Sequence, residues 1–406
     1  DGRPDAAGDR GAAMRRLALA AALYAAAGPA LAADCGAPTK MADGWPVAAP
    51  RREGLDPRLI CAIGPRLESL KGADPNGVLV VRHGRLVYEH YFTGEDKLWR
   101  EPLAVVAHDA RTLHRIESIT KSLVAILAGI ALDRRLLAGV DVRALPFFPE
   151  DADLGTPEKA AITVRNLLSM TSGIAWPEAA SSYNDAANIN RRRIFAEPDP
   201  DRFVLQQPMA AKPGTVWTYS GGGVGLLASI LQKATRRRLD VFARETLFGP
   251  LGIADWKWWP LASGDPSASG GLFLRPRDLA KIGQLVLAGG VWHGRRIVSA
   301  RWIAEMTSPQ LPHGYPFGFG GAYSYGYLWW LGRSLVEGRQ IAWVGGIGWG
   351  GQRLFVVPSL DLVVVATAGL YHRSATQFAA ADTAFDMALR AAVRRPGWAA
   401  GPAWAR

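Results

Sequence analysis

Apolar and polar positions follow different periods along the chain, and these patterns predict strands toward both ends with helices between them. Branched and aromatic residues flank a Gly-containing turn in the first third, which predicts a hairpin of strands over 78–81 and 86–92. Toward the end of the chain, short apolar runs predict four further strands, over 327–331, 340–344, 352–357 and 362–367. We expect both groups of strands to share one antiparallel sheet.

The middle of the chain has the longer apolar runs that are typical of helices. An apolar run predicts a buried helix over 118–132, and 163–260 predicts helical segments separated by Pro and Gly loops. Further helices are predicted over 56–70, 277–289, 299–306 and 375–393.

This order of elements predicts an α/β (α+β) fold with an antiparallel sheet flanked by helices. We expect one domain to be built from residues 33–117 and 265–396. A mostly helical domain of residues 118–264 is expected to be inserted into it.

The N-terminus has the pattern of a secretion signal. Met14 is followed by Arg15 and Arg16, an apolar run over 17–27 and the small residues Ala-Leu-Ala at 30–32. The apolar run is too short to span a bilayer. We expect residues 1–32 to be upstream residues plus a signal peptide that begins at Met14. The mature protein is then periplasmic or secreted, without a membrane span.

Composition and charge exclude several classes of protein. The chain has 406 residues, 49% hydrophobic and 20% charged, which is typical of a globular protein. Its net charge of +11 is spread along the chain without a nucleic-acid-binding motif, so we expect no nucleic-acid partner, although anionic envelope polymers could attract it. Cys35 and Cys61 could pair or stay free, and they are too few for a Cys-rich metal site. The seven histidines lack metal-binding spacing, so no cofactor is expected.

Ser118 and Lys121 form an S-x-x-K sequence at the predicted start of the first long helix. Residues three apart share a helix face, and a helix N-terminus stabilises negative charge. A neutral lysine one turn from a serine can accept the serine's proton, which predicts a nucleophile and its general base. The alternative is a capping serine with a surface lysine, since both residue types are common.

Two further segments carry candidate chemistry. Tyr219 lies between a Pro-Gly turn and a Gly-rich helix start, where a phenol could relay protons, or simply pack in the core. The Gly-rich segment 345–351 would let a substrate approach the backbone and offer an N–H to an oxyanion beside the N–H of Ser118. Its alternative is a tight turn or bulge. A Ser-His-Asp triad using His114 is also conceivable, although no G-x-S-x-G sequence supports it.

Three segments together resemble the serine hydrolases of the class C β-lactamase and penicillin-binding-protein type. They are Ser118 to Lys121, the I-T-V-R-N-L-L-S-M-T-S-G-I of 162–174, and S-G-G-L at 269–272 with R-D-L-A-K-I-G at 277–283. Their order also matches, and the resemblance covers about 75–390. Within this family the chain resembles the branch of 6-aminohexanoate-dimer hydrolases and carboxylesterases.

The resemblance implies a β-lactamase/transpeptidase-like fold with the site in a cleft between sheet and helical domain. It implies that Ser118 is the nucleophile, Lys121 the general base and Tyr219 the tyrosine of the second motif. Aligning 346–348 with the third motif makes the N–H of Trp349 the second oxyanion donor.

Substrate-binding residues are also implied by the resemblance. Tyr183 is expected to be the loop-borne tyrosine that contacts substrate in the amide-hydrolysing branch, with Gly348 and Trp349 beside it.

Two departures from the family pattern bear on the substrate. Gly221 stands where the second motif, Tyr-x-Asn, has its Asn, and Gly346 stands where the third motif has Lys or His. A β-lactam carboxylate would lose its charge-assisted partner, so we expect weak or absent β-lactamase activity. We expect a small ester or amide substrate instead. The alternatives are a β-lactamase or D-alanyl-D-alanine carboxypeptidase and, in another class, a non-catalytic envelope-binding protein.

Overall fold

A computed structural model describes residues 34–97, 102–311, 315–316, 322–372 and 378–393 of the chain. The predicted signal peptide lies outside these residues and stays a prediction. None of the helices in the described ranges combines the length and the apolar character that crossing a membrane requires.

The described residues form an eight-stranded antiparallel sheet and three small sheets. The strands are β1 Pro75–Arg82, β2 Arg85–Tyr91, β3 Thr93–Asp96, β4 Ala104–Ala107, β5 His114–Arg115, β6 Trp256–Trp258, β7 Leu272–Leu274, β8 Val291–Trp292, β9 Arg295–Arg296, β10 Tyr315–Pro316, β11 Ala322–Tyr325, β12 Trp330–Val336, β13 Arg339–Gly348, β14 Gln352–Val357 and β15 Leu362–Ala368. The large sheet has the order β10-β11-β12-β13-β14-β15-β1-β2. The small sheets are β3-β4, β5-β7-β6 and β8-β9.

Strands from the two ends of the chain meet in the middle of the large sheet, as predicted. β1 pairs with β15, with Val80 opposite Val364, and with β2 on its other side. The β1–β2 hairpin turns at His83 and Gly84, whose φ angles of 50° and 69° are both positive. Two left-handed residues match the twist of the strands that they join, so the sequence pattern identified this hairpin correctly.

The helices lie mostly between β5 and β10. They are α1 Pro57–Ile60, α2 Ile63–Glu68, α3 Ile119–Asp133, α4 Pro157–Ala160, α5 Val164–Leu168, α6 Ile189–Phe195, α7 Pro200–Leu205, α8 Gly221–Thr235, α9 Leu239–Ala243, α10 Pro276–Leu287, α11 Ala300–Met306 and α12 Ala379–Val393. Short 3₁₀ turns occur at Pro50–Glu53, Leu145–Phe147, Pro149–Leu154 and Pro358–Leu360, and a π turn at Arg244–Phe248. The predicted division into two domains stays a prediction.

Helix α3 is the central element of the core. Every residue from Ile119 to Ala131 is buried, because the helix packs on neighbours all around its circumference. The fit is close, since a Cβ added to Gly129 would lie 2.0 Å from a ring carbon of Trp302. This helix therefore holds Ser118, at its N-terminus, in a fixed position against the sheet.

Two predicted elements differ in the structure. The strand predicted over 327–331 begins only at Trp330, because Gly326 N–H donates to the Trp329 carbonyl and Leu328 has a φ of 59°, so the chain turns there. The helix predicted over 56–70 is divided into α1 and α2 at Cys61. Cys61 forms a disulfide with Cys35, which settles a pairing that the sequence left open.

Candidate active site

Ser118 is the N-cap residue of α3, and Lys121 lies one turn further along the helix. Lys121 Nζ is 2.9 Å from Ser118 Oγ and 2.5 Å from the Ser269 carbonyl oxygen. The side chain of Lys121 is buried, and no carboxylate lies within ion-pair distance of Nζ among the described residues. The arrangement places an amine nitrogen next to a serine hydroxyl at the positive end of a helix dipole.

Tyr219 lies beside Lys121. It precedes α8, whose N-cap residue Ser220 accepts a hydrogen bond from Gly223 N–H. The ring centroid of Tyr219 is 4.8 Å from Lys121 Nζ, and the ring stacks on Trp330 at 6.1 Å. The structure therefore brings Tyr219 together with Ser118 and Lys121, which were predicted from a different segment.

The C-terminal end of β13 forms one wall beside Ser118. β12 pairs with β13 only as far as Gly345, so the last residues of β13 extend beyond that neighbour. A Cβ added to Gly348 would lie 2.6 Å from the carbonyl oxygen of Ile116, which shows how closely this strand approaches the segment before Ser118. Gly348 and Trp349 line the same cleft as Ser118, as the third-motif alignment predicts.

This cleft has a volume of about 1030 Å³, and its walls are largely aromatic. The aromatic residues that line it are Trp176, Tyr183, Trp217, Tyr219, Trp330, Trp349, Tyr371 and Phe378. Apolar walls with few polar groups are typical of sites for small organic molecules. By contrast, Trp256 and Trp258 pack on Phe248 rather than lining the cleft.

Tyr183 reaches the cleft from the loop before α6. Its hydroxyl donates to Glu178 Oε1 at 2.7 Å, and its ring lies 5.7 Å from that of Trp349. Burial raises the pKa of Tyr183 well above its usual value, and the charge of Glu178 raises it further. The phenol therefore stays protonated and is held against the cleft wall by a buried carboxylate.

Glu178 was missed by the sequence analysis, although it connects three parts of the site. Its buried carboxylate accepts hydrogen bonds from Trp176 Nε1 at 2.7 Å, from the Tyr183 hydroxyl and from Gly221 N–H. A glutamate in a polar loop gave no signal of this role, because its partners are distributed over 176–221.

Both glycines that depart from the family pattern occupy positions without space for a side chain. A Cβ on Gly221 would lie 2.1 Å from Asn190 Oδ1 and 2.9 Å from Glu178 Oε2. A Cβ on Gly346 would lie 2.8 Å from the side chain of Ile119, the residue after Ser118. Neighbouring side chains therefore fill the volume that the usual Asn and Lys or His would need.

A buried polar network lies behind the end of β13, and the sequence did not reveal it. His114 Nδ1 is 2.7 Å from Asp96 Oδ2, and its Nε2 is 2.7 Å from Gln352 Oε1. Gln352 Nε2 in turn contacts the Trp349 carbonyl at 3.3 Å, while the Tyr371 hydroxyl donates to Asp96. His114 thus bonds to Asp96 and Gln352 rather than to Ser118, which argues against a triad.

The same network contains the side chains in the described region best placed to hold a metal near the site. Asp96, His108 and His114 could offer three ligand atoms within 4.8 Å of one another. Both ring nitrogens of His114 already have protein partners. Burial lowers the pKa of His108 to about 4, so its imidazole is neutral at pH 7. Through these hydrogen bonds the network supports the end of β13.

Comparison with known proteins identifies the family of this chain. A family model described as Beta-lactamase matches residues 72–388, which is most of the chain. The chain belongs to the β-lactamase family. It is therefore a hydrolase of a serine-hydrolase family, as its three motif segments predicted.

Relatives of this family member include esterases and amidases. It is 26% identical over 306 residues to the 6-aminohexanoate-dimer hydrolase of Paenarthrobacter ureafaciens, with 71% of this chain and 70% of that protein aligned. It is 28% identical over 149 residues to the lovastatin esterase of Penicillium rubens, an alignment that covers only 36% of either protein.

Solved structures show the same fold. Simvastatin synthase from Aspergillus terreus superimposes with a TM-score of 0.63 at 18% identity, over 83% of this chain and 98% of that one. The predicted antiparallel sheet with flanking helices, of the β-lactamase/transpeptidase-like type, is confirmed.

Proposed function

We propose that the protein hydrolyses a small ester or amide through an acyl-enzyme on Ser118, with Lys121 as general base. The observation that carries this proposal is the 2.9 Å contact between Lys121 Nζ and the Oγ of Ser118, a residue that lines the aromatic cleft. Contacts of this length allow direct proton transfer between a nucleophile and its base.

The contacts of Lys121 support its role as the base. The Ser269 carbonyl accepts a hydrogen bond from Nζ, which holds the side-chain nitrogen of Lys121 beside Ser118 Oγ. Ser118 Oγ then attacks the substrate carbonyl carbon and gives its proton to Lys121. The resulting oxyanion accepts hydrogen bonds from the backbone N–H groups of Ser118 and Trp349.

Collapse of this intermediate breaks the bond to the leaving group. Lys121 returns its proton to the leaving oxygen or nitrogen, and Tyr219, whose ring centroid lies 4.8 Å from Nζ, completes the proton path. Water then attacks the acyl-enzyme with Lys121 again as base, which releases the acid and restores Ser118. Each step needs only groups that line or adjoin the cleft.

The cleft walls support an ester or amide with an apolar part. Tyr183 and Trp349 form one wall, with ring centroids 5.7 Å apart, and Trp330 with Tyr219 forms another. The position of Gly346 has no side chain that could pair with a β-lactam carboxylate, so penicillins are poor substrates. Two relatives support this substrate class: one is named for hydrolysing the dimer of 6-aminohexanoate, and the other for cleaving an ester of lovastatin.

Export to the periplasm or medium is part of the proposal. The signal-like N-terminus supports it, and the Cys35–Cys61 disulfide is of the kind that forms in oxidising compartments. N-terminal sequencing of the exported protein tests it, with Ala33 expected as the first residue. A protein retained in the cytoplasm with residues 14–32 intact contradicts it.

The catalytic assignment is tested with para-nitrophenyl butyrate and a fluorophosphonate probe. We expect the wild-type protein to release nitrophenol and to carry the probe on Ser118, as peptide mass mapping would reveal. Ser118→Ala loses both, whereas the matched control Ser263→Ala, at an exposed loop serine, keeps both. Turnover that survives in Ser118→Ala, or labelling of another serine, overturns the assignment. Equal inertness of wild type and Ser118→Ala toward all acyl donors favours the non-catalytic envelope-binding protein.

A further inference from the structure

A second, smaller pocket opens beside Ser118. Its volume is about 70 Å³, and it shares Ser118, Tyr183, Asn184 and Trp349 with the aromatic cleft. We name it the charged branch, because its other lining residues include Lys97, Arg115, Glu117 and Arg191. Ser118 therefore borders both the aromatic cleft and a charged pocket.

The charges of this branch do not balance. Arg115 Nε lies 3.0 Å from Glu117 Oε1, so these two groups compensate each other. Lys97 and Arg191 have no carboxylate within 4.0 Å among the residues that the structure describes. The branch therefore carries two positive charges in excess.

The contacts of these two cations leave their charge in place. Lys97 Nζ lies 5.9 Å from the ring centroid of Trp349 and 5.6 Å from that of Tyr371. The Arg191 guanidinium lies 5.1 Å from the ring of Phe195. Aromatic faces attract a cation weakly and position it, but they do not neutralise it.

The surroundings of Lys97 reflect the same excess. Burial lowers the pKa of Lys97, the charges of Arg115 and Arg191 lower it further, and only Glu117 opposes them. An anion that entered the branch would relieve this repulsion.

We propose that the charged branch binds a carboxylate of the substrate, held by Lys97 and Arg191, while the aromatic cleft takes the apolar part. This inference rests on the proposed acyl transfer at Ser118. An ammonium and a guanidinium form charge-assisted hydrogen bonds with a carboxylate, and a pocket of about 70 Å³ has room for one such group. The substrate class is an ester or amide with an acid group a few bonds from the scissile carbonyl.

The carboxylate could belong to the acyl group or to the leaving group, and two substrate pairs distinguish these sources. The acyl pair is para-nitrophenyl hydrogen glutarate and para-nitrophenyl valerate. The leaving-group pair is para-butanoyloxybenzoate and its methyl ester. In each pair the ratio of kcat/KM for the charged and the neutral substrate measures carboxylate recognition alone.

We expect the wild-type ratio to exceed one for one pair, and to fall by about tenfold in Lys97→Met and in Arg191→Met. Lys97→Arg, which keeps the positive charge, should retain most of the wild-type ratio. The matched control is Arg192→Met, which removes the same charge from the next residue of α6, where the side chain pairs with Glu197 outside the branch. Ratios that are the same in wild type, Lys97→Met and Arg191→Met overturn the proposal.

A binding measurement separates this proposal from the catalytic one. Titration calorimetry of Ser118→Ala with each intact ester reports affinity without turnover. We expect the charged ester to bind more tightly than the neutral one, and about tenfold more weakly after Lys97→Met is added. Equal binding of the two esters overturns the charged branch, whereas turnover that persists in Ser118→Ala overturns the acyl-enzyme and leaves the binding result standing.

Discussion

Restoring the family's asparagine at position 221 should damage the protein rather than repair its second motif. In Gly221→Asn, the new Cβ would lie 2.1 Å from Asn190 Oδ1 and 2.9 Å from Glu178 Oε2, both well inside van der Waals contact. Neither neighbour moves freely, since Asn190 lies in α6 and Glu178 accepts three hydrogen bonds.

The expected cost follows from these contacts. Overpacking a well-packed site costs about 1–3 kcal/mol of unfolding free energy. Displacing Glu178 breaks at least one hydrogen bond to a buried carboxylate, which costs about 1.5–3 kcal/mol more. We expect a loss of about 2.5–6 kcal/mol, and a fall in Tm of about 3–7 °C at about 2.1 cal/mol/K per residue for a chain of this length.

Differential scanning calorimetry measures this change, with Gly139→Asn as the control, because a Cβ at Gly139 meets nothing within 4 Å. Adding Asn190→Ala to Gly221→Asn removes the amide that the new Cβ meets. The double variant should therefore recover at least about 1 kcal/mol relative to additive effects. A Gly221→Asn protein that melts at the wild-type temperature, or an additive double variant, refutes the reasoning.

Three further perturbations have distinct signatures. Cys61→Ser should lower the unfolding free energy by about 3 kcal/mol, because the disulfide closes a loop of 26 residues; a wild-type Tm that is indifferent to reductant contradicts this. Burial alone would raise the pKa of Asp96, but the charge of His114 and its hydrogen bond lower it overall. The stabilisation from Asp96 is thus present above about pH 4 and lost as the pH falls below it. The Tm curves of wild type and Asp96→Asn should therefore converge as the pH falls, and parallel curves argue against this reasoning. Lys121→Met should lower kcat about 10²- to 10⁴-fold without lowering Tm. Lys121→Arg keeps the positive charge but cannot give up a proton, so it should be equally inactive. An active Lys121→Arg excludes the lysine as base.

The sequence predicted best those elements whose structure depends on local pattern. The long buried helix begins within one residue of its predicted start, because an uninterrupted apolar run follows a serine that ends in the N-cap position. The failure at 327–331 has a tertiary cause: Leu328 N–H donates to the Leu168 carbonyl, and Ser122 Oγ donates to the Leu328 carbonyl. A buried turn held by distant partners has the same apolar composition as a strand.

The candidate site also has one part that the sequence could predict and another that it could not. Ser118 and Lys121 were predictable because one helical turn brings them together, whatever the rest of the fold does. The contact between His114 and Gln352 joins residues 238 positions apart, and it exists only because β5 and β14 approach the same end of β13. No periodicity or spacing encodes such a pair, so the support behind the site became visible only in three dimensions.

The two missing motif side chains and the charged branch have a common consequence for specificity. Because position 346 is a glycine, the chain lacks the cationic side chain of the family's third motif. Ile119 occupies the space where that side chain would lie. Lys97 and Arg191 supply positive charge in a different pocket beside the same serine. The groups needed for acyl transfer are untouched by this exchange, so the reaction can be retained while the direction from which a carboxylate is recognised changes. A carboxylate fixed by a fused β-lactam ring cannot adjust to a new direction, whereas a flexible half-ester can turn its acid group into the branch, and acyclic acids should therefore be preferred over penicillins.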